Sequence, residues 1–271
     1  MEQLGMEVIS MLGMNPVDAV RLVAELGLHR MSIGPSPITA NPHGFAPWDL
    51  RTDPALVRAT SAAAREHGVT FSIAEGFLVM PGIRIVDMEP TLDIMAELGA
   101  PIVNVVVVEQ DRARAADEFG LFARMAGERG LVTTIEFMPL MWPATIAEAL
   151  AFLGEVGAAN GKLLLDAMHV YRSGATAADV AAIDPAMIAY VQLCDVPMPA
   201  RTDDYGEEAR NDRLCPGEGD LPLADFLKAV PAGVPLGLEV PMVAKAQAGI
   251  SLCDALRSCV TATGRLLGQT A

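Results

Sequence analysis

The chain has 271 residues, enough for one large α/β barrel or two ordinary domains, and 52% of them are hydrophobic. No uncharged apolar run approaches the roughly 18 to 20 residues that a membrane-crossing helix needs, and the opening "MEQLGMEVISML" has acids where a secretory leader carries basic residues, so a cytoplasmic protein with no membrane partner is expected. A formal net charge of −15 works against neutralising a phosphodiester backbone, which argues against nucleic acid as a partner.

Apolar runs alternate with amphipathic stretches eight times along the chain. The predicted strands are 6–12, 30–34, 69–73, 102–108, 132–136, 163–166, 189–193 and 236–239. Most are continuously apolar, as strands buried on both faces are. The intervening stretches, such as "NPVDAVRLVAELG" and "DPALVRATSAAAREHG", open on Asn or Asp followed by Pro and close on Gly, the signals of a helix start and stop. Eight such units without a Pro/Gly/Ser-rich linker predict a single (β/α)8 TIM barrel over residues 1–271. An open doubly wound sheet is the alternative, weakened by the lack of GxGxxG after the first strand and of any GxxxxGK[ST] loop.

Four cysteines, Cys194, Cys215, Cys253 and Cys259, form no CxxC pair and are expected as reduced, mostly packed thiols. Two connections are long: "GPSPITANPHGFAPWDLRT" after the second strand and "DVPMPARTDDYGEEARNDRLCPGEGD" after the seventh. In a barrel both reach the C-terminal face, where barrel enzymes keep their active sites.

The last four strands finish as "TIEFMP", "LLLDAMH", "YVQLCD" and "GLEVPM". Each contributes an oxygen ligand near its end, Glu136, Asp166, Gln192 and Glu239, and barrel closure brings these together on one side of the mouth. Three carboxylates in a partly buried mouth raise one another's pKa unless a cation lies between them. A single divalent metal is the economical cation. An all-oxygen set suits Mg2+ or Mn2+ in six-coordinate geometry better than structural zinc, leaving Co2+ or Zn2+ as alternatives. His169 lies three residues past Asp166, so a regular strand would aim the two at opposite faces. A bend after Asp166 is therefore required if the imidazole is to reach a substrate oxygen.

At these residues the sequence resembles the xylose isomerase-like barrel family, which includes sugar isomerases, ketose 3-epimerases, hydroxypyruvate isomerases, and inosose and 3-dehydroshikimate dehydratases. The resemblance runs over nearly the whole chain and rests on Glu at strand five, Asp-x-x-His at strand six, Gln-x-x-Asp at strand seven, Glu at strand eight and the basic residue before the turn in "NDRLCPGEGD". It implies that Glu136, Asp166, Gln192 and Glu239 bind the metal, and that His169 and Arg213 touch substrate. Glu136 and Glu239 would then pass a proton between two faces of the substrate. The departure is Gln192, where epimerases usually carry His and the 3-dehydroshikimate dehydratase branch carries Gln. Such relatives are often dimers or tetramers, so a homo-oligomer stays open.

The resulting expectation is a metal-dependent isomerase or epimerase acting on a small polyhydroxylated carbonyl compound through a metal-stabilised enediolate. A 3-dehydroshikimate dehydratase-like lyase and a catalytically silent sugar- or metal-binding barrel are the alternatives. Lysine-dependent aldol chemistry is disfavoured, because only Lys162, Lys228 and Lys245 exist and Lys162 begins its strand. Among Arg172, Arg201, Arg210 and Arg213, Arg213 is the candidate to meet an anionic substrate group. Glu75, Glu109 and His43 are further pocket candidates. Phe45, Trp48 and Trp142 are candidates to cover the substrate.

Overall fold

The computed structural model describes residues 2–270. Eight parallel strands close into a barrel in sequence order: β1 (Leu4–Met6), β2 (Arg30–Ile33), β3 (Thr70–Val79), β4 (Ile102–Val107), β5 (Val132–Glu136), β6 (Gly161–Asp166), β7 (Ile188–Leu193) and β8 (Leu236–Leu238). The closing pair is β1 with β8, in the register Leu4 to Leu236 and Met6 to Leu238. This is the single (β/α)8 architecture expected from the alternation. The helices are α1 (Pro16–Glu25), α2 (Pro54–His67), α3 (Glu89–Leu98), α4 (Arg112–Glu128), α5 (Ile146–Val156), α6 (Ala167–Arg172), α7 (Ala177–Ala181), α8 (Tyr205–Asn211), α9 (Leu223–Ala229), α10 (Val243–Gln247) and α11 (Leu252–Thr270).

The Asn-Pro and Asp-Pro signals act as read. Asn15 caps α1 by accepting from the Val17 and Asp18 amides, and Asp53 caps α2 by accepting from the Leu56 amide. Two strands differ from expectation. Residues 6–12 are not the first strand: β1 ends at Met6, and Val8–Met11 form a 3-10 turn. The run "MEVISML" is buried throughout, and a buried turn and a buried strand have the same composition. The third strand runs on to Val79, with an irregular register between Ala74 and Phe77 that places Glu75 inside the strand.

Inside the barrel, residues two apart on a strand share a face. Ile102, Leu164 and Tyr190 pack together as a floor, and two residues further along the same strands stand Asn104, Asp166 and Gln192. The interior therefore changes from apolar to polar within one layer. The large outer core packs between barrel and helices, with Phe119 edge-on to Phe152 and Phe77 against Phe122.

The expectation of four reduced cysteines is corrected. Cys215 and Cys259 form a disulfide across 44 residues of sequence, because α11 lays Cys259 against the segment that follows β7. Cys194 and Cys253 are free. Among the described residues no helix is long and apolar enough to cross a membrane.

Candidate active site

The strand-end carboxylates and amide meet at the C-terminal mouth. Asp166 and Gln192 are register partners across β6 and β7, and Gln192 pairs with Gly237, two residues before Glu239. Glu136, Asp166, Gln192 and Glu239 are all buried, and so are His169 and Arg213.

The bend after Asp166 is a helix start. α6 begins at Ala167, and the Asp166 side chain caps it by accepting from the His169 amide at 2.9 Å. Capping turns His169 back over the mouth, where its Nε2 lies 3.2 Å from Glu136 Oε1. With Nε2–H donating to that carboxylate, Nδ1 is the acceptor for the Tyr205 hydroxyl at 2.5 Å. Tyr205 starts α8, inside the long connection after β7.

Arg213 is buried beside them. Its guanidinium donates to Asp166 Oδ2 at 2.5 Å and lies 3.5 Å from Glu239 Oε1, while Nε donates to the Ala209 carbonyl at 2.7 Å. Asp195 fixes the turn just beyond it, accepting from the Gly217 and Leu221 amides at 2.8 and 3.0 Å. Gly219 is needed there, since a Cβ would stand 2.4 Å from Asp195 Oδ1. Burial opposes ionisation of Asp166, but Arg213 and His169 outweigh it and hold the carboxyl below its usual range. Burial pushes the Glu239 carboxyl well above that range; Arg213 opposes the rise, and the Asp166, Glu136 and Glu75 carboxylates add to it.

A second network lies beside this one and was not foreseen. Asn104 donates to Glu75 Oε2 at 3.1 Å and to Glu136 Oε2 at 2.8 Å, oriented by the Thr134 hydroxyl on its own amide oxygen at 2.9 Å. Gln192 donates to Glu75 Oε1 at 3.0 Å. Burial raises the Glu75 carboxyl strongly, with the neighbouring Glu7 and Glu136 charges adding. Beside it, Glu7 is fully buried, accepts from the Tyr190 hydroxyl at 2.7 Å and is pushed up to about 7 by burial. A Cβ at Gly237 would fall 1.6 Å from Glu7 Oε1, so that position must be glycine. Asn104 was visible as the one polar residue in "IVNVVVV". Glu7 was hidden by the misplaced first strand, and nothing local marked Tyr205.

Of the remaining candidates, Glu75 joins the site and Glu109 does not: its carboxylate pairs with Arg114 and accepts from the Asp111 amide at 3.0 Å. His43 packs against Phe45, away from the mouth, and Trp48 donates to the Gly13 carbonyl at 3.1 Å. Trp142 stands edge-on to Phe152 with Arg112 over its ring. None of these aromatics lines the cavity of about 760 Å³ that opens above Glu136, His169, Arg213 and Glu239. Arg172 is held by Glu208, whereas Arg210 lines the cavity with Arg213. A depression of about 630 Å³ between α4 and α5 contains none of the strand-end residues.

The donor chemistry fits a hard divalent cation. All four strand-end residues offer oxygen, and Gln192 Oε1 and Glu239 Oε2 are buried without a hydrogen-bond partner. Burying such acceptors is costly unless a donor or cation meets them. Arg213 holds two of the four, and among the described residues no three His, Cys, Asp or Glu side chains form a ready metal cluster.

Comparison with known proteins agrees with the architecture. The IOLI protein, solved with a bound zinc atom, superposes with a TM-score of 0.81 at 15% identity over 99% of both chains. D-psicose 3-epimerase, solved in the presence of D-fructose, gives a TM-score of 0.74 at 15% identity over 98% of this chain and 99% of its own. At these identities the likeness concerns fold alone. A 3-dehydroshikimate dehydratase of Pseudomonas aeruginosa is 32% identical over 163 residues, which is 56% of this chain and 25% of that protein. Residues 20–256 match the family described as xylose isomerase-like TIM barrel, and with the closed eight-stranded barrel this makes the chain a member of that family.

Proposed function

We propose that the protein is a divalent-metal-dependent isomerase or epimerase that removes a proton from carbon next to a carbonyl. The observation that carries this reading is the placement of two buried glutamates, Glu136 on β5 and Glu239 beyond β8, on the rim of one cavity with His169 and Arg213. Two carboxyls on separate strands can take a proton from one side of a bound carbon and return it from the other. A divalent ion held by Glu136, Asp166, Gln192 and Glu239 would supply electrophilic stabilisation of the charge that builds on substrate oxygen. His169, fixed by Glu136 and Tyr205, offers a positioned ring at the cavity wall, and Arg213 keeps Asp166 ionised. A positioned acid or base of this kind contributes about 10²- to 10⁴-fold.

The test is deuterium exchange from solvent into a panel of ketoses with Mg2+ or Mn2+ added. Exchange is expected in wild type and should fall by about 10² or more in Glu136→Gln and Glu239→Gln. No exchange with any ketose, or unchanged exchange in both variants, refutes the reading.

A dehydratase is the second reading, supported by Gln192 and by the 32% identical stretch of a 3-dehydroshikimate dehydratase. It starts with the same proton removal and then expels a β-hydroxyl. Incubation with 3-dehydroshikimate, followed by absorbance of an aromatic product, decides it.

A further inference from the structure

The cavity is divided by polarity. Glu136, His169, Tyr205, Arg213 and Glu239 occupy its depth and the side formed by β6 to β8. The opposite upper wall is built from Leu78 on β3, Val106 and Val108 at the end of β4, and Met138, Leu140 and Met141 after β5. Val106 and Val108 continue the inward row of Ile102 and Asn104, so the surface they keep exposed faces the cavity. Leu140 is 84% exposed and holds φ at 72°, a left-handed conformation that costs a leucine energy. Ile38, 42% exposed, reaches the cavity from the long connection after β2. Exposed large apolar side chains gathered at one mouth mark a binding surface.

This wall matters for the choice of substrate. A polyol carries hydroxyls along its whole length, and each one turned towards valine, leucine or methionine loses its water without gaining a partner. A single unpaired hydroxyl of this sort weakens binding by about tenfold. An alkyl or aryl group on the same wall gains affinity by leaving water. The volume, about 760 Å³, is in the range of sites for drug-sized molecules and exceeds the need of a small hydroxy-carbonyl head alone.

We infer that the substrate is amphiphilic: an α-hydroxy-carbonyl head held by the polar residues at the depth of the mouth, joined to an alkyl or aryl portion lying on the wall of Val106, Val108, Met138 and Leu140. This rests on the proposed proton-transfer chemistry for the identity of the head. The apolar portion rests on the wall itself.

Two compounds with the same hydroxymethyl-ketone head separate the cases: 1-hydroxy-4-phenylbutan-2-one, with an apolar tail, and L-erythrulose, with a hydroxylated one. Binding is measured by calorimetry and turnover by deuterium exchange, each with added Mn2+. The phenyl compound is expected to bind at least about tenfold more tightly, and Val106→Thr and Leu140→Ser should each narrow that ratio. Melting curves confirm that both variants fold. Equal or tighter binding of L-erythrulose overturns the inference, as does a ratio unchanged in both variants. If the phenyl compound binds preferentially but neither compound exchanges, the chemistry falls and the apolar wall stands. Exchange of both with equal kcat/KM leaves the chemistry standing and overturns the apolar preference.

Discussion

Glu7 makes the stability of this barrel depend on pH in a direction opposite to ordinary acid denaturation. Its carboxyl is fully buried and pushed from 4.5 to about 7, with burial the largest cause and the Ser32, Tyr190 and Gln192 side chains opposing it. A carboxyl whose folded pKa exceeds its unfolded value holds its proton longer in the folded state. Between pH 4.5 and 7 the native protein therefore binds more protons than the unfolded chain, and stability falls as pH rises through that window. At about 1.4 kcal/mol per unit, the loss attributable to Glu7 is about 3 kcal/mol by pH 8. Glu7→Gln keeps the shape and the acceptor for the Tyr190 hydroxyl while removing the ionisation. Urea unfolding of wild type and variant, with chelator, at pH 5 and pH 8 measures the difference. The variant should gain about 2.5 kcal/mol relative to wild type at pH 8 over its value at pH 5, because part of the loss is already present at pH 5. Glu239, also raised by burial, acts in the same direction in both proteins, whereas Glu75 is raised in part by the Glu7 charge, so its carboxyl is relieved in the variant and adds to the gain at high pH. Parallel pH profiles for the two proteins would refute the assignment.

Three further outcomes follow from the same geometry. Arg213→Gln leaves Asp166 and Glu239 buried without their counter-charge and should cost about 3 to 5 kcal/mol, a fall in Tm of roughly 6 to 15 °C; added Mn2+ should raise the variant's Tm more than wild type's, and equal shifts would count against shared donors. Gly237→Ala should abolish soluble expression because its Cβ would fall 1.6 Å from Glu7 Oε1, whereas Gly154→Ala, with no atom within 4 Å, should express normally. Reducing Cys215–Cys259, which are 44 residues apart, removes about 4 kcal/mol of loop-closure stabilisation; unfolding curves with and without dithiothreitol that coincide would show that this pair contributes nothing.

How much of this could be read from sequence divides along chain separation. Asp166 and His169 are three residues apart, and their relation is local: a carboxylate ending a strand caps the helix that follows, and the cap dictates where the third residue points. Strand periodicity and turn residues are local in the same sense, so the barrel and the level of its four strand-end oxygen-bearing residues could be read. Arg213 is 47 residues from Asp166, and its sequence neighbours include Asp212 and Glu208 as equally good partners on paper. The family resemblance put Arg213 at the substrate, and the fold adds that Asp166 and Glu239 are its partners. Cys215 and Cys259 pair for the same non-local reason, against an expectation drawn from spacing.

Glu7 failed differently. Its neighbours "MEVISML" satisfy a buried strand and a buried turn equally, so hydropathy could not tell that β1 had already ended. Once the strand ends at Met6, Glu7 becomes the first residue past β1, equivalent to Glu239 after β8, and an acid there is a candidate site residue by the rule that identified the others. Gly237 offers an independent signal, because a glycine two residues before a strand-end glutamate, in a barrel whose inward positions are otherwise filled, implies that another side chain crosses that point. The polar interior of this mouth is thus a connected layer in which each carboxylate's charge state depends on the next, and a substitution at Glu7 should be felt at Gln192 and Glu75 before it reaches substrate.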